Sequence, residues 1–380
     1  MSNLNKIPVT VITGFLGAGK TTLIRHLMQN PQGKRLAVVV NEFGTAGVDG
    51  DILKSCADEN CPAENIVELA NGCICCTVAD DFIPTIEQLM ALPEAPEHIV
   101  IETSGLALPK PLLKAFDWPA IRSRITVDGV IALADAEAVA KGQFATDLDA
   151  VQAQREADEG IDHETPLSEL FKDQISCADI ILMSKADLAG EAGVEKARAM
   201  IEAESPRKLP ILPMSEGVID PRVILGLEAA AEDDLDARPS NHDHHHHDHH
   251  DHHDHDHDHD NHHHDDHDHG HTHDHGHHHH HHDHSHDEFE SIVVELGEIS
   301  DTDDLQTRIV KMARARNILR IKGYVAVEGK PMRMLVQAVG ERLRAQYDQP
   351  WGAQPRKTQL VVIAEHDNID AAGIHADLGA

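Results

Sequence analysis

The sequence predicts an α/β fold with two folded domains. Residues 1–236 alternate short, nearly all-apolar runs with helical stretches, which is typical of a mostly parallel, doubly wound sheet covered on both faces. Residues 288–380 show four strand-like runs and one helical stretch, which predict a small α+β domain. Residues 242–286 contain no apolar side chain and cannot form a core, so residues 237–287 are predicted to be a disordered linker.

The individual elements follow from apolar patterning. The expected strands of the first domain are Val9–Thr13, Leu36–Val40, His98–Glu102, Val127–Ala134 and Asp179–Met183. Its expected helices include Thr21–Met28, Phe82–Leu92 and Glu191–Glu204. In the second domain the expected strands are Ser291–Leu296, Gly323–Val327, Met332–Val339 and Gln359–Ala364, with a helix near Asp303–Leu319.

Composition limits the classes of function. The formal net charge of −34 argues against binding to nucleic acid or to anionic lipid, since both require a basic face. No apolar run approaches the roughly 18 residues of a membrane helix, and the first residues do not have the pattern of a signal peptide. Six cysteines in 380 residues do not form the pattern of a disulfide framework. We therefore expect a soluble cytoplasmic protein with reduced thiols.

A phosphate-binding loop follows the first predicted strand. Gly14-x4-Gly19-Lys20-Thr21 lies directly after a β-branched strand and directly before a helix, which is the context that a P-loop requires. The glycines let backbone N–H groups surround a polyphosphate, Lys20 would reach the β- and γ-phosphates, and the Thr21 hydroxyl would hold Mg²⁺. The expected nucleotide contacts are Gly14, Phe15, Leu16, Gly17, Ala18, Gly19, Lys20, Thr21 and Thr22.

A second nucleotide element is "IVIETSG", in which Glu102 ends a strand and Gly105 follows three residues later. An acidic residue at a strand end can hold Mg²⁺ through water, and the glycine suits a loop that senses the γ-phosphate. Glu102 and Lys20 are thus the expected catalytic residues.

The third element, "ADIILMSKADL", favours guanine over adenine. A carboxylate at Asp187 would accept hydrogen bonds from guanine N1 and N2, and the stem of Lys185 would lie along the base. Ser184 stands where Asn or Thr is usual in the [N/T]KxD motif of GTPases. The first domain is therefore predicted to be a P-loop GTPase domain.

Two further segments carry candidate metal ligands. In "NEFGTAGVDGD", Glu42 is a candidate for Mg²⁺ or metal coordination, whereas Asp49 and Asp51 are equally well explained as a solvated acidic loop. In "ELANGCICCTVADDF", Cys73, Cys75 and Cys76 occupy four positions.

The clustered thiols favour a reversible metal site. Two of the three thiols plus a nearby donor could bind one tetrahedral divalent ion; which two is open, with Cys75 favoured beside Cys73 or Cys76. A structural zinc site usually has a second CxxC pair, and Cys56-x4-Cys61 is a poor substitute for one. A redox role would favour a single CxxC at a helix start.

Taken together, "TGFLGAGKTTL", "NEFG", "NGCICC" and KxD, in this order, resemble the CobW-type metallochaperones, a branch of the metal-handling P-loop GTPases. The longer stretch "ENIVELANGCICCTVADDF" is similar to the cobalamin-biosynthesis branch of that family, and the resemblance covers nearly the whole chain. It implies that GTP and Mg²⁺ create a high-affinity metal site at CxCC and that hydrolysis releases the ion to a client. For this branch it implies Co²⁺ as the ion and the aerobic cobaltochelatase, or a nearby corrin-ring step, as the client.

Other functions remain open at this stage. Thiolates prefer Zn²⁺ and Cu(I) to Co²⁺, so cobalt rests on the resemblance rather than on residue chemistry. The alternatives are a zinc-transfer chaperone of the same family, a nickel-insertion GTPase of the hydrogenase or urease type, and a metal-storage protein with a vestigial nucleotide site. The oligomeric state, a homodimer included, is not determined by the sequence.

The linker has its own predicted role. Its residues 242–286 hold 28 of the 33 histidines, together with 12 Asp. Because roughly three quarters of such imidazoles are neutral at pH 7, they can ligate divalent metals with little selectivity. The two interpretations are a metal buffer that serves the cysteine site, which we favour, and a polar tether. Deleting residues 242–286 should lower metal stoichiometry and leave GTP hydrolysis intact.

Overall fold

The computed structural model describes residues 6–41, 53–54, 61–69, 82–157, 165–240, 289–352 and 355–379. Within these ranges the chain forms two β-sheets with associated helices, one on each side of the His-rich segment in the sequence. Among the described helices, none combines the length and the apolar character that crossing a bilayer requires.

The first sheet is parallel, with strand order β3-β2-β4-β1-β5-β6-β7. Its strands are β1 (Ile7–Gly14), β2 (Leu36–Asn41), β3 (Ile66–Leu69), β4 (His98–Glu102), β5 (Ile125–Asp135), β6 (Ile180–Ser184) and β7 (Ile211–Pro213). The carboxyl ends of parallel strands meet at one edge, so the residues that follow β1, β4 and β6 lie at the same edge.

Helices connect these strands, as a parallel sheet requires. They are α1 (Lys20–Gln29), α2 (Ile83–Met90), α3 (Pro109–Ala115), α4 (Pro119–Arg122), α5 (Ala136–Ala140), α6 (Leu148–Ala157), α7 (Leu167–Cys177), α8 (Ala186–Glu204) and α9 (Pro221–Ile224). In α1 the side chains of Leu23, Ile24, Leu27 and Met28 are buried, because the i, i+3, i+4 spacing places apolar residues on one face. The same core includes Val38 and Val100 of the sheet.

The second sheet is antiparallel, with strand order β11-β10-β9-β12-β8. Its elements are β8 (Phe289–Leu296), α10 (Thr302–Ala315), β9 (Arg320–Val325), β10 (Met332–Val339), β11 (Arg342–Pro350), β12 (Thr358–Glu365) and α11 (Ala371–Leu378). Helix α10 begins where the Asp301 carboxylate accepts hydrogen bonds from the Asp303 and Asp304 N–H groups, both at 3.0 Å. Its apolar face packs on this sheet in a separate core.

The predicted fold class is confirmed: an α/β domain with a parallel sheet, plus a small α+β domain. Two boundaries were wrong. Helix α10 ends at Ala315 rather than near Leu319, because Asn317 adopts a left-handed backbone with φ 49°. Strand β9 runs over Arg320–Val325, whereas Val327 pairs with Ile299 in an isolated bridge instead of continuing the strand.

The two domains are packed against each other. Leu319 and Val339 of the second domain lie in the same core as Leu212 and Leu225 of the first. The Arg320 guanidinium donates hydrogen bonds to the carbonyl oxygens of Arg222 at 2.6 Å and Leu225 at 2.8 Å. Apolar packing and directed hydrogen bonds therefore fix the second domain on the first.

Ion pairs add to this interface. Arg342 of β11 pairs with Asp179, the residue before β6, and donates a hydrogen bond to the Ala229 carbonyl at 2.7 Å. Asp179 also pairs with Arg238 at 2.6 Å, and the side chains of both are fully buried. Burial alone would raise the pKa of Asp179, but the two guanidiniums lower the pKa below its ordinary value. Arg238 lies just beyond residue 236, where the sequence placed the domain boundary.

Candidate functional site

The loop between β1 and α1 has P-loop geometry. Gly14 ends β1 with φ 142°, and a Cβ atom there would lie 2.5 Å from the Leu133 carbonyl oxygen of β5, so only glycine fits. Gly19, with φ 91°, precedes the first turn of α1. The loop therefore delivers the backbone directly into the amino end of α1, where N–H groups and the helix dipole favour an anion.

Lys20 lies against the same loop. Its ammonium donates hydrogen bonds to the carbonyl oxygens of Gly14 at 2.9 Å and Phe15 at 3.2 Å, and its side chain is buried. A buried positive charge is thus fixed against the first residues of the loop. An arriving phosphate would find this positive charge already in position.

Of the other predicted loop contacts, Ala18 is buried and Gly17 and Leu16 are exposed. The N–H group of Ala18 donates to the Phe15 carbonyl at 3.1 Å, which closes the turn. The Thr22 methyl group lies 2.8 Å from the position that a Cβ on Gly217 would occupy, so this side chain packs against the turn that contains Gly217.

Thr21, in the first turn of α1, and Glu102, at the end of β4, come together. The Thr21 hydroxyl donates a hydrogen bond to Glu102 Oε1 at 3.2 Å, although 81 residues separate the two in sequence. Glu102 is buried at the end of β4. A hydroxyl and a carboxylate are hard oxygen donors of the kind Mg²⁺ prefers, so these residues fit a magnesium ion.

Three buried hydroxyls lie at the same edge of the sheet. The Oγ1 atoms of Thr13 and Thr103 and the Oγ of Ser104 have no hydrogen-bond partner among the described residues. Buried polar groups in native proteins are nearly always paired, with protein, water or ligand. Their position beside the P-loop and Glu102 is consistent with a polar ligand at this edge.

The loop after β4 closes on the P-loop. A Cβ on Gly105 would lie 2.7 Å from the Leu16 backbone nitrogen, so this position also requires glycine. The Gln174 carboxamide of α7 donates hydrogen bonds to the carbonyl oxygens of Gly105 at 3.1 Å and Ala107 at 3.3 Å. The two predicted phosphate-sensing loops are therefore in direct contact.

The predicted base-recognition residues follow β6. Lys185 has a left-handed φ of 55° and pairs with Asp135 at 2.5 Å, while its ammonium also donates to the Thr146 hydroxyl at 3.2 Å. Burial alone would raise the pKa of Asp135, but the hydrogen bonds from Lys185, Thr146 and the Ala138 N–H, together with the Lys185 charge, outweigh burial and lower the pKa. Asp187 lies in the first turn of α8.

Ser184 occupies the position where the motif usually has Asn or Thr. Its hydroxyl donates to the Ala134 carbonyl at 3.4 Å, a long hydrogen bond, and its Cβ lies 3.9 Å from the position of a Cβ on Gly19. The serine side chain therefore faces the P-loop and is too short to bridge to it strongly.

The candidate cargo-metal ligands Cys73, Cys75 and Cys76, and Glu42, lie outside the described residues. Elsewhere, the thiols of Cys61 and Cys177 are buried, and burial raises the pKa of Cys177 to about 12, which makes Cys177 a poor ligand. Within the described part of the chain, no three His, Cys, Asp or Glu side chains are grouped so as to hold a metal ion.

Sequence reasoning missed the partners that hold this site. Asp135, at the end of β5, fixes Lys185, and the signal was available: an acidic residue that ends an apolar strand, as Glu102 does. Phe15 of the P-loop packs against Phe144 and Phe171, with ring centroids 5.9 and 6.2 Å apart. That aromatic cluster could not be found from sequence, because its members are far apart along the chain.

A parallel sheet with a P-loop after β1, a carboxylate after β4 and a lysine–aspartate motif after β6 defines a P-loop nucleotide hydrolase. Family comparison makes the class specific. The model for the CobW/HypB/UreG nucleotide-binding domain matches residues 8–212, and that for the cobalamin synthesis protein cobW C-terminal domain matches residues 289–380. The chain belongs to the CobW/HypB/UreG family and is a GTPase of that family.

Curated relatives agree over the whole length. The chain is 46% identical over 380 residues to the zinc chaperone CobW of Sinorhizobium sp, covering 100% of this chain and 98% of that protein. It is 44% identical to the zinc chaperone CobW of Pseudomonas aeruginosa, covering 98% and 91%. A zinc-regulated GTPase metalloprotein activator 1 of Schizosaccharomyces pombe is 34% identical over 203 residues, covering 53% of this chain and 44% of that protein. The family relationship predicted from the motifs is confirmed.

Proposed function

We propose that the chain binds GTP and Mg²⁺ at the P-loop edge, holds a divalent metal at the CxCC cluster in that state, and gives up the metal to a client when GTP is hydrolysed. The observation that carries the nucleotide part is the convergence of the Lys20 ammonium, the Thr21 hydroxyl and the Glu102 carboxylate at one sheet edge. Glu102 and Thr21 would hold Mg²⁺, which lowers the cost of negative charge developing on the transferring phosphoryl group.

The guanine side of the proposal rests on Lys185 and Asp187. Asp187 would accept hydrogen bonds from the base, and Lys185, fixed by Asp135, would lie along it. Gly105 would couple the presence of the γ-phosphate to the position of the loop after β4, since its backbone contacts the P-loop at Leu16.

The metal part of the proposal is supported by the path of the chain. The backbone leaves the sheet at Leu69, at the same edge as the P-loop, and Cys73 follows four residues later. Strand β3 lies three strands from β1, roughly 14 Å at the usual strand spacing. We propose that the coupling between the thiols and the γ-phosphate runs through the chain segments that follow β2, beginning with Glu42, and β4, whose last residue is Glu102.

Zinc is the cargo we favour on present grounds. Two curated relatives that align over nearly their whole length are named zinc chaperones. Thiolate ligands also bind Zn²⁺ more tightly than Co²⁺. Cobalt as cargo, cobaltochelatase as client and a role in cobalamin synthesis stay predictions from sequence resemblance. A cytoplasmic location stays a prediction from composition, and a homodimer stays an open alternative.

The test is a Zn²⁺ titration by competition with a chromophoric chelator, using protein that lacks residues 242–286 so that the histidines do not mask the site. Three states are compared at fixed Mg²⁺: no nucleotide, GDP, and a non-hydrolysable GTP analogue. We expect the analogue to tighten Zn²⁺ binding at least about tenfold and, because coupling is reciprocal, Zn²⁺ to tighten analogue binding by the same factor. Equal Zn²⁺ affinity in all three states would contradict the proposal.

Two variants test whether the nucleotide-dependent Zn²⁺ site includes the clustered cysteines. Cys75→Ala should abolish the nucleotide-dependent component, whereas Cys177→Ala, which removes a buried thiol whose pKa is about 12, should retain it. Repeating the titration with Co²⁺, and with both ions in competition, decides between zinc and cobalt as cargo. A site that keeps its full nucleotide dependence without Cys75 would show that the metal lies elsewhere.

A further inference from the structure

Gln154 carries a buried polar atom that the site described so far does not use. Its side chain projects from α6 towards the two phosphate-sensing loops: the position of a Cβ on Gly105 is 3.2 Å from Gln154 Oε1 and 2.7 Å from the Leu16 nitrogen. Oε1 is buried and has no hydrogen-bond partner among the described residues. An amide oxygen is a strong acceptor, and leaving one buried without a donor is costly, so its placement calls for a ligand.

This atom lies on the terminal-phosphate side of the P-loop. The Lys20 ammonium, which reaches β- and γ-phosphates in P-loop enzymes, contacts the carbonyl oxygens of Gly14 and Phe15, and Leu16 is the next residue. The leaving group would lie further along the loop, towards α1. Because attacking and leaving oxygens are roughly in line, the attacking water belongs on the opposite side, where Leu16, Gly105 and Gln154 meet.

Among the described residues, other side chains already hold the elements around Gln154. The backbone around Gly105 is already held by a different glutamine, Gln174, which donates to the Gly105 and Ala107 carbonyls. Helix α6 is fixed by Val151, which is fully buried in the core that also contains Phe15. The residue directly after Gly105 is Leu106, buried and apolar, which cannot accept a hydrogen bond from water.

We propose that Gln154 orients the water that attacks the γ-phosphate of GTP. Its amide oxygen accepts a hydrogen bond from the water and aligns the water lone pair with phosphorus. The water oxygen forms a bond to phosphorus, the bond from phosphorus to the β–γ bridging oxygen breaks, and the water proton passes to a γ-phosphate oxygen. The products are GDP and dihydrogen phosphate. This inference rests on the phosphate site proposed above, and not on the cargo metal.

The experiment measures single-turnover GTP hydrolysis by the full chain at fixed Mg²⁺ without added transition metal. Gln154→Ala and Gln154→Met are compared with Gln152→Ala, which removes an exposed glutamine of the same helix, one whose amide donates to Glu156 at 2.9 Å. Methionine keeps most of the side-chain volume but provides no amide acceptor. We expect both Gln154 variants to hydrolyse GTP about 10²-fold more slowly, as is common when one oriented polar group is removed, and Gln152→Ala to match the parent.

A second readout separates orientation of water from a structural role. GDP affinity and the unfolding midpoint of Gln154→Met should equal those of the parent, whereas binding of GDP with aluminium fluoride, which mimics the transferring phosphoryl group with its in-line water, should weaken at least tenfold. A Gln154→Met rate within twofold of the parent would overturn the proposal. Loss of GDP affinity in parallel with rate would overturn it as well, because that result indicates a displaced P-loop.

Discussion

The two edges of the parallel sheet both contain buried polar groups, but some of these groups have hydrogen-bond partners within the described chain and others do not. At the carboxyl edge, hydroxyls of Thr13, Thr103 and Ser104 have no partner among the described residues. Towards the amino edge, the buried carboxylate of Asp128 accepts hydrogen bonds from the N–H groups of Gly226 at 2.6 Å and Glu228 at 2.8 Å. Both edges are built from the same strands.

The difference indicates which edge binds a ligand and which edge joins the two domains. At the amino edge, the carboxylates of Asp128 and Asp179 are bonded by residues 226–238 and by Arg342 of the second domain, so that edge is a structural junction. At the carboxyl edge, the three hydroxyls beside the P-loop are left for a ligand, as expected for a site that binds a polyphosphate. Substitutions at the two edges should therefore separate stability from catalysis.

The largest effect is expected at the amino edge. Asp179→Asn removes the charge that neutralises Arg238, whose side chain is fully buried, and that pairs with Arg342 of the second domain. Arg238 would keep its pair with Asp234 at 3.3 Å, but the loss of the fully buried counter-charge should still lower the free energy of unfolding by about 3–5 kcal/mol, measured by urea unfolding. As a matched control, Glu295→Gln removes a carboxylate from an exposed pair with Lys357 and should change nothing measurable. An equal free energy of unfolding for Asp179→Asn and Glu295→Gln would contradict a structural role for the amino edge.

At the carboxyl edge, Lys20→Ala should act on the reaction. Removing a positive charge placed against the transferring phosphoryl group should lower kcat for GTP hydrolysis by about 10²–10³-fold. Its free energy of unfolding should change less than that of Asp179→Asn, because the two hydrogen bonds that it loses go to the uncharged carbonyl oxygens of Gly14 and Phe15. Steady-state kinetics and urea unfolding of both variants check that Lys20→Ala mainly lowers kcat and that Asp179→Asn mainly lowers the free energy of unfolding. A Lys20→Ala protein that still turns over at the parent rate would place the phosphate site elsewhere.

His98 provides a pH test of the amino edge. It is fully buried, its Nε2 lies 2.8 Å from the Thr10 hydroxyl, and burial lowers its pKa from 6.5 to about 4 despite the nearby Asp128 carboxylate. The folded state therefore binds this proton more weakly than the unfolded state. The stabilisation is present above pH 6.5 and is lost as the pH falls towards 4, by about 3 kcal/mol in total.

The measurement is the free energy of unfolding against pH for the parent and for His98→Gln. The parent should lose more stability than the variant between pH 6.5 and pH 4, because only the parent's unfolded state takes up this proton. The variant is the necessary reference, since the remaining histidines titrate in both proteins. If the two curves of unfolding free energy fall by the same amount, the folded state binds a proton on His98 as readily as the unfolded state, which would contradict the prediction.

The smallest effect is expected at Ser184. Its hydroxyl makes only a long hydrogen bond, at 3.4 Å to the Ala134 carbonyl, and it faces Gly19 of the P-loop. Ser184→Asn would restore the longer amide that the motif usually carries. One added hydrogen bond, worth about 0.5–1.5 kcal/mol net, should tighten GDP binding roughly two- to tenfold, measured by fluorescence titration. Weaker GDP binding would mean that the serine is required by local packing.

Much of this protein could be predicted from local sequence. Apolar runs and their spacing predicted the strands β1, β2, β4, β5 and β6, and glycine and lysine spacing predicted the P-loop. The short strand β3, the three-residue β7 and the polar edge strand β11 were missed. Strands this short are specified by their neighbours, and β11 has no apolar run because one side of an edge strand faces solvent.

The sequence by itself determined the class of each functional segment, because P-loop, acidic strand end and lysine–aspartate motif are local patterns with their own chemistry. Only the tertiary structure decided which distant groups meet: Asp135 with Lys185, Gln154 with Gly105 and Arg342 with Asp179. The physical reason is that side-chain periodicity is encoded over a few residues, whereas these contacts join residues 49 to 163 positions apart, brought together by strand order and domain packing.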